Sequence, residues 1–242
     1  QHLNNEAGDI SGNGSWLINA NTLENQQGKI FSAKMGELDL QIQQALNNAG
    51  GTLTGRQGVF IKTQSLINRA GKVIASLGNV TLNSQSLEGD DGEILAANTL
   101  NIQGGSLSLN QATTQADQIL MTANTLDHQG GKLLQTGDKA GKITLQGQLN
   151  NQAGEIGSNG DFTIKADALN NQDGQILTAN SGHLSIDLKN VLSNQYGAIV
   201  GENGLEITAS QLDNQQGKLV ARHGDTTLDV THTINNQAGL IA

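Results

Sequence analysis

Short pairs of apolar residues separated by one polar residue recur along the whole chain. Phe162/Ile164 and Leu205/Ile207 are two of these pairs, and such alternation indicates a β-strand with one buried face. Each pair is followed by an eight-residue phrase of the form L-x-N-x-x-G-x-[ILV]. The intervals are too short and too rich in Gly and Asn for a helical stripe. The pattern therefore predicts an all-β protein with two or three short strands in each repeat.

The phrase recurs with a period of 20 to 23 residues, except for one interval of 39 residues that would hold two repeats. This longer interval contains one degenerate copy near Leu107. A period of this length is typical of a solenoid, in which each repeat buries its apolar face against its neighbours. We predict a parallel β-helix of about twelve coils that forms one domain over residues 1–242. The phrase begins at Leu3, Leu23, Leu46, Leu66, Leu87, Leu126, Leu149, Leu169, Leu192, Leu212 and Ile234.

Two polar positions of the phrase are nearly constant. Asn at the third position is expected to form a ladder of side-chain amides from coil to coil, and Gly at the sixth position is expected to supply a turn with positive φ. The predicted ladder contains Asn5, Asn25, Asn48, Asn68, Asn151, Asn171, Asn194, Asn214 and Asn236, with Gly89 and His128 as exceptions. The predicted turn glycines are Gly8, Gly28, Gly51, Gly71, Gly92, Gly131, Gly154, Gly174, Gly197, Gly217 and Gly239.

The repeats are of two lengths, and the longer ones carry about four additional residues in the turn before the alternating pair. From Leu126 onward long and short repeats alternate, so the inserted residues should form a ridge that recurs on every second coil, roughly 10 Å apart. This ridge is a candidate interaction surface. Its charged members are Lys34, Asp138, Lys139, His183, Arg222, His223 and Asp225.

Composition and charge exclude several classes of function. The net charge is −9 and the 13 basic residues are scattered, whereas nucleic-acid binders cluster Lys and Arg. No apolar run reaches the ~20 residues that a membrane span needs, so we expect neither nucleic-acid binding nor a membrane-spanning chain. Only five residues are aromatic, which predicts a thin aliphatic core.

Runs such as LNNQAGEI at Leu149 and LNNQDGQI at Leu169, with the interleaved strands, resemble the filamentous haemagglutinin repeats of two-partner-secretion exoproteins. That group includes adhesins and the stalks of contact-dependent growth inhibition toxins. The resemblance implies a right-handed β-helical filament at the surface of a Gram-negative bacterium, exported through an outer-membrane transporter. The chain would then be an uncapped internal length of such a filament.

Other candidate sites are weaker. The five His residues have no metal-ligand spacing, and the acidic segment from Glu88 to Glu93 lacks the G-G-x-G-x-D calcium repeat. Enzymes do occur on β-helices, but the acids are scattered and no aromatic groove is indicated, so we expect no enzyme and no cofactor. The degenerate repeat, NQATTQADQ from Asn110, is either a protruding loop or a drifted coil held by its neighbours. A structural stalk is the main functional expectation, with a glycan- or receptor-binding module as the alternative.

Overall fold

A computed structural model describes residues 1–242, and every regular element in it is a β-strand. The chain divides into two compact units, unit 1 at Gln1–Ala123 and unit 2 at Asn124–Ala242. The strands of unit 1 are β1 His2–Asn4, β2 Asp9–Gly12, β3 Trp16–Glu24, β4 Lys29–Ser32, β5 Glu37–Asn47, β6 Thr52–Gly55, β7 Gly58–Ile67, β8 Lys72–Ala75, β9 Asn79–Glu88, β10 Glu93–Ser108 and β11 Thr113–Ala123.

Unit 2 continues the same alternation of short strands and turns. Its strands are β12 Thr125–Asp127, β13 Lys132–Gln135, β14 Gly141–Leu145, β15 Gln148–Asn150, β16 Glu155–Ser158, β17 Phe162–Ala166, β18 Ala168–Asn170, β19 Gln175–Thr178, β20 Leu184–Leu188, β21 Val191–Ser193, β22 Ala198–Asp213, β23 Lys218–Asn235 and β24 Leu240–Ile241.

Within each unit the strands pair in parallel with the equivalent strand one turn later. In unit 1, Leu23 of β3 pairs with Leu46 of β5, which pairs with Leu66 of β7. In unit 2, Leu149 of β15 pairs with Leu169 of β18. Each unit is therefore a parallel β-solenoid, as the repeat period predicted, and the chain makes about eleven turns rather than twelve.

One turn contains three strand segments, which we name by their place relative to the phrase. The first segment carries the phrase Leu, the second follows the phrase Gly, and the third carries the alternating apolar pair. In unit 2 these are, for example, β15, β16 and β17. The apolar residues of all three segments point inward, as shown by Leu149, Ile156 and Ile164, which are at most 1 % exposed. The core is consequently a set of aliphatic rows, one residue per turn.

The turn inserts are shorter than the sequence predicted. Gln135 pairs with Ser158, and Gly141 pairs with Phe162, so the long turn spans six positions where the short one spans four. That corner thus gains two residues rather than four. A long coil of 23 residues has three more residues than a short coil of 20. The remaining additional residue lies at the corner between the third and first segments, where the strand register shifts by one after Gln41. The expectation of about four inserted residues in one turn is wrong because the additional length is divided between two corners.

The degenerate repeat forms a regular coil within unit 1. Residues 93–96 of β10 pair with 113–116 of β11, and residues 99–103 pair with 118–122. Leu107 and Leu109 are buried in the positions that the phrase would assign to Leu and Asn. The segment is therefore a drifted coil and not a protruding loop.

Candidate functional site

The Asn side chains at the third phrase position lie inside the solenoid and bond to one another. In unit 2, Asn151 Nδ2 donates to Asn171 Oδ1 at 2.7 Å, and Asn171 Nδ2 donates to Asn194 Oδ1 at 2.7 Å. The run continues through Asn214 to Asn236. In unit 1 the same bonds join Asn5, Asn25, Asn48 and Asn68. The amides thus form a chain of hydrogen bonds along each unit.

Each ladder amide also bonds to its own turn. Asn171 Nδ2 donates to the Gly174 carbonyl at 3.2 Å, and Asn151 Nδ2 donates to the Gly154 carbonyl at 3.3 Å. Both Nδ2 protons and Oδ1 are therefore used, although Asn151 and Asn171 are fully buried. A buried polar group is tolerated only when it is bonded in this way, so the ladder holds successive coils in one register.

The phrase glycines are required for a different reason from the one predicted. Positive φ occurs at the residue before the Gly, for example at Ala153, Asp173 and Tyr196, and not at Gly154 or Gly174. A Cβ on Gly174 would overlap the Asn151 carbonyl of the preceding coil and would lie 2.7 Å from Asn171 Oδ1. The prediction of a positive φ at these glycines is wrong. Gly is needed there because the preceding coil approaches too closely to leave space for a side chain.

The two exceptions in the ladder have different surroundings. In unit 1, Gly89 leaves space that the Leu109 side chain of the next coil fills, since a Cβ on Gly89 would lie 2.8 Å from Leu109 Cδ2. In unit 2, the fully buried His128 replaces Asn and its Nδ1 lies 2.8 Å from Asn151 Oδ1. Burial lowers the pKa of His128, against smaller raising effects of Asn151 and Asp127. The neutral ring therefore occupies the first position of the unit 2 ladder.

The predicted ridge residues are only partly brought together. Asp138, His183 and Asp225 lie at the corner between the second and third segments of unit 2, where a Cβ on Gly160 would meet the Asp138 backbone and one on Gly204 would meet His183. Asp138 and Lys139 are exposed on the first of these long coils. Lys34 is an exposed residue of unit 1. The continuous part of the predicted ridge thus lies in unit 2.

Neighbouring carboxylates contact three of the ridge side chains. Arg222 Nη1 and His223 Nδ1 lie 3.1 Å and 3.3 Å from Glu202, which belongs to the intervening short coil. His183 Nε2 lies 4.0 Å from Glu206. These contacts are on the surface, where ion pairs contribute little to stability, so the ridge carries both signs of charge in mutual contact.

Acidic residues of unit 1 that were candidates for a cation site are engaged with other protein groups. Glu88 pairs with Arg69 at 2.9 Å, and Glu93 pairs with Lys72 at 3.0 Å. Asp90 accepts hydrogen bonds from Ser108 Oγ and from the Asn110 N–H. The structure contains no group of three or more His, Asp or Glu residues placed to hold a metal ion, and it contains no helix that could span a membrane.

A surface groove that the sequence reasoning missed lies in unit 1, at the corner between the third and first segments. It has a volume of about 590 Å³ and is lined mainly by Asn and Gln side chains of successive coils. The signal was present in the sequence as amides two or three positions before a phrase Leu, as at Gln43 and Gln64. Asn and Gln are abundant throughout the chain, so this signal did not stand out.

A solenoid with a buried amide ladder and a thin aliphatic interior defines a repeat protein. The haemagglutinin repeat family model matches residues 35–104, 78–153, 140–195 and 180–242. The chain therefore belongs to the haemagglutinin repeat family, whose members are secreted surface proteins with structural or adhesive rather than enzymatic roles. No curated protein and no solved structure was found to match the chain.

Proposed function

We propose that this chain is a stalk segment of a large secreted exoprotein of a Gram-negative bacterium. The stalk holds receptor-binding, adhesive or toxin regions away from the cell during contact with another cell, in adhesion or in contact-dependent growth inhibition. The observation that carries the proposal is the ladder. Asn151, Asn171 and Asn194 are fully buried and bonded in series, which resists sliding of one coil past the next.

The transient partner in this proposal is the outer-membrane transporter of two-partner secretion, with which the family is associated. A chain without Cys forms no disulfide before export. Repeats that contact only their neighbours can fold progressively as they emerge. Folding outside the cell would then favour outward movement of the chain.

Export of proline variants of the complete exoprotein tests this proposal. Pro at Ile164, Ile186 and Ile207 removes a backbone donor and a core side chain from three successive third segments, so surface display should fall strongly. The matched control places Ala at Thr163, Ser185 and Glu206, which pair in the same register but point outward. Display of the proline variant at the control level would refute progressive folding as part of export.

A second candidate function is recognition of a target-cell receptor or glycan by the unit 2 ridge. It is favoured by the exposure of Arg222 and His223, whose side chains are 63 % and 74 % accessible despite their contact with Glu202. A cell-binding assay with Arg222→Ala/His223→Ala tests it. Unchanged saturable binding by this variant would rule out the ridge as the binding surface.

A further inference from the structure

The groove of unit 1 is bordered by two rows of outward-facing side chains that follow the stacking direction. The first row is set by strand pairing, because Asn19 pairs with Gln41, Gln41 with Lys62, and Lys62 with Asn83. Four residues in register on parallel strands span three coil intervals, or about 14 Å at ~4.8 Å per coil. The groove is thus long and straight.

The second row lies across the corner, just before the phrase Leu of each coil. It consists of Asn21, Gln43, Gln64 and Gln85, all of which are exposed and line the same groove. Between the rows the floor is formed by Ala20, Ile42 and Thr63. Each coil therefore presents one polar group on either side of a narrow floor that is mostly apolar.

The Gln side chains of the second row form no hydrogen bond with the protein, unlike Gln41 of the first row. Gln41 Nε2 donates to Asp39 at 2.6 Å, whereas the side chains of Gln43, Gln64 and Gln85 bond to no other protein group. Amides on other surfaces of the chain are frequently paired, as in the bond from Asn150 Nδ2 to Asp127 Oδ1 at 2.9 Å. The groove consequently offers a periodic set of free donors and acceptors.

At the same corner of unit 2, the side chains form ion pairs with one another. Lys165 occupies the position of Lys62, and its Nζ lies 2.8 Å from Asp187 of the next coil, which holds the pKa of Lys165 above its ordinary value. Across the corner, Lys189 Nζ lies 2.7 Å from Asp167. The groove is therefore a property of unit 1 and is not imposed by the solenoid itself.

The chemistry of the groove fits a chain of hydroxyl groups. Amides both donate and accept hydrogen bonds, as sugar hydroxyls do, and one pair of polar groups per coil matches a ligand that repeats about once per coil. Lys62 is the only cationic side chain in the lining, which is too little charge for a nucleic acid. An extended peptide would need an unpaired strand edge, whereas β5 and β7, which form the middle of the groove, are paired on both sides.

We propose that unit 1 binds an extended linear oligosaccharide in this groove, with its long axis along the stacking direction and its hydroxyls bonded to the two amide rows. Because no aromatic side chain lines the groove, we expect the affinity of a single groove for an oligosaccharide to be low. The proposal is independent of the stalk role and uses a surface different from the unit 2 ridge.

Saturation-transfer NMR and calorimetry on the complete 242-residue chain test this proposal, with cellohexaose and chitohexaose as extended probes and maltohexaose as a curved one. We expect saturable binding of at least one extended probe and weaker binding of the curved one. The decisive variant is Gln41→Asp/Gln43→Lys/Gln64→Asp, which gives this corner the charges that close it in unit 2. It should weaken binding by about tenfold or more, because several hydrogen bonds are lost.

Two control variants separate the groove from other surfaces. Gln152→Ala/Gln172→Ala removes turn amides of unit 2, and Arg222→Ala/His223→Ala removes two exposed side chains of the ridge. Neither variant should change the affinity. The melting temperature of the groove variant is measured alongside its affinity, since Gln43 and Gln64 are exposed and Gln41 is half-buried. The proposal would be overturned if neither extended probe binds at its solubility limit. It would also be overturned if the groove variant binds the probes as tightly as the parent chain does, or if an extended Gly/Ser peptide binds in place of the sugars.

Discussion

The corner between the third and first segments differs between the two units in its backbone and in its surface chemistry. The continuous strands β5 and β7 cross this corner in unit 1, whereas β17/β18 and β20/β21 of unit 2 are separate strands on either side of it. In unit 1 it presents Gln43 and Gln64 with free amides, whereas in unit 2 the equivalent Lys189 and Asp167 are paired at 2.7 Å. The interior behind both corners contains the same rows of Leu and Ile and an Asn ladder. The comparison teaches that the repeat fixes the interior of each coil, while the outward positions are free to vary and can acquire a function.

The largest effect is expected where the interior leaves no space. Gly174→Ala would place a Cβ against the Asn151 carbonyl of the preceding coil, and backbone cannot move aside cheaply, so we predict a loss of about 3 kcal/mol or more in unfolding free energy. Ala112→Gly is the matched control, because Ala112 occupies the same phrase position in the drifted coil and its change should cost about 1 kcal/mol or less. Similar denaturation midpoints for the two variants would contradict the close-approach explanation.

An Asn in the middle of a ladder should contribute more to stability than an Asn at the end of one. Asn171→Ala removes the bonds to Asn151 and Asn194 and leaves buried groups unpaired, which should cost roughly 2–4 kcal/mol. Asn68→Ala removes one inter-coil bond, from Asn48, because Gly89 has no side chain to receive another. Chemical denaturation should therefore find Asn171→Ala the more damaging change, and the reverse order would argue against bonding in series.

His128 gives unit 2 an acid-sensitive position that its Asn equivalents lack. Because burial lowers the pKa of His128, the folded state holds the neutral ring while the unfolded chain takes up a proton near the ordinary value of 6.5. Its contribution to stability is complete above that pH and is lost as the pH falls below it. His128→Asn should lose less thermal stability between about pH 7.5 and pH 5 than the parent chain, and parallel pH profiles would show that His128 is not the cause.

The smallest effect is expected at the charged corner of unit 2. Lys165→Gln/Asp187→Gln removes the exposed pair of 2.8 Å, and exposed pairs are offset by solvation and side-chain entropy. Melting curves of the parent and the variant should superimpose at physiological salt. A clear loss of stability would mean that this corner is part of the fold rather than a freely variable surface.

The fold could be predicted because the residues that form the interior recur at a regular spacing in the sequence. Leu149, Asn151 and Ile156 recur at a spacing that only stacked coils satisfy, so the solenoid and the positions of the ladder amides followed from counting. The reason for Gly154 did not follow, because the atom that excludes a Cβ belongs to the preceding coil and is invisible in the local sequence. The positive φ is instead taken by Ala153, whose N–H bonds to the Gln172 carbonyl of the next coil at 2.9 Å.

The surface was less predictable than the interior. Charged inserts such as Arg222 and His223 stood out in a chain with few charges, yet the structure pairs both with Glu202. The groove amides are not distinctive in the sequence, because Asn and Gln also fill the turns throughout the chain. Only strand register, which aligns coils about 20 residues apart, shows that these amides form rows.

Hydrogen exchange of the side-chain amides, followed by NMR, tests most directly the claim that the same amide group has two roles set by its position. The Nδ2 protons of Asn48, Asn171 and Asn194 should exchange slowly, because they are buried and bonded along the ladder. The Nε2 protons of Gln43 and Gln64 should exchange at the rate of a free amide. Equally rapid exchange in both sets would contradict the buried ladder and, with it, the account of how the coils are held in register.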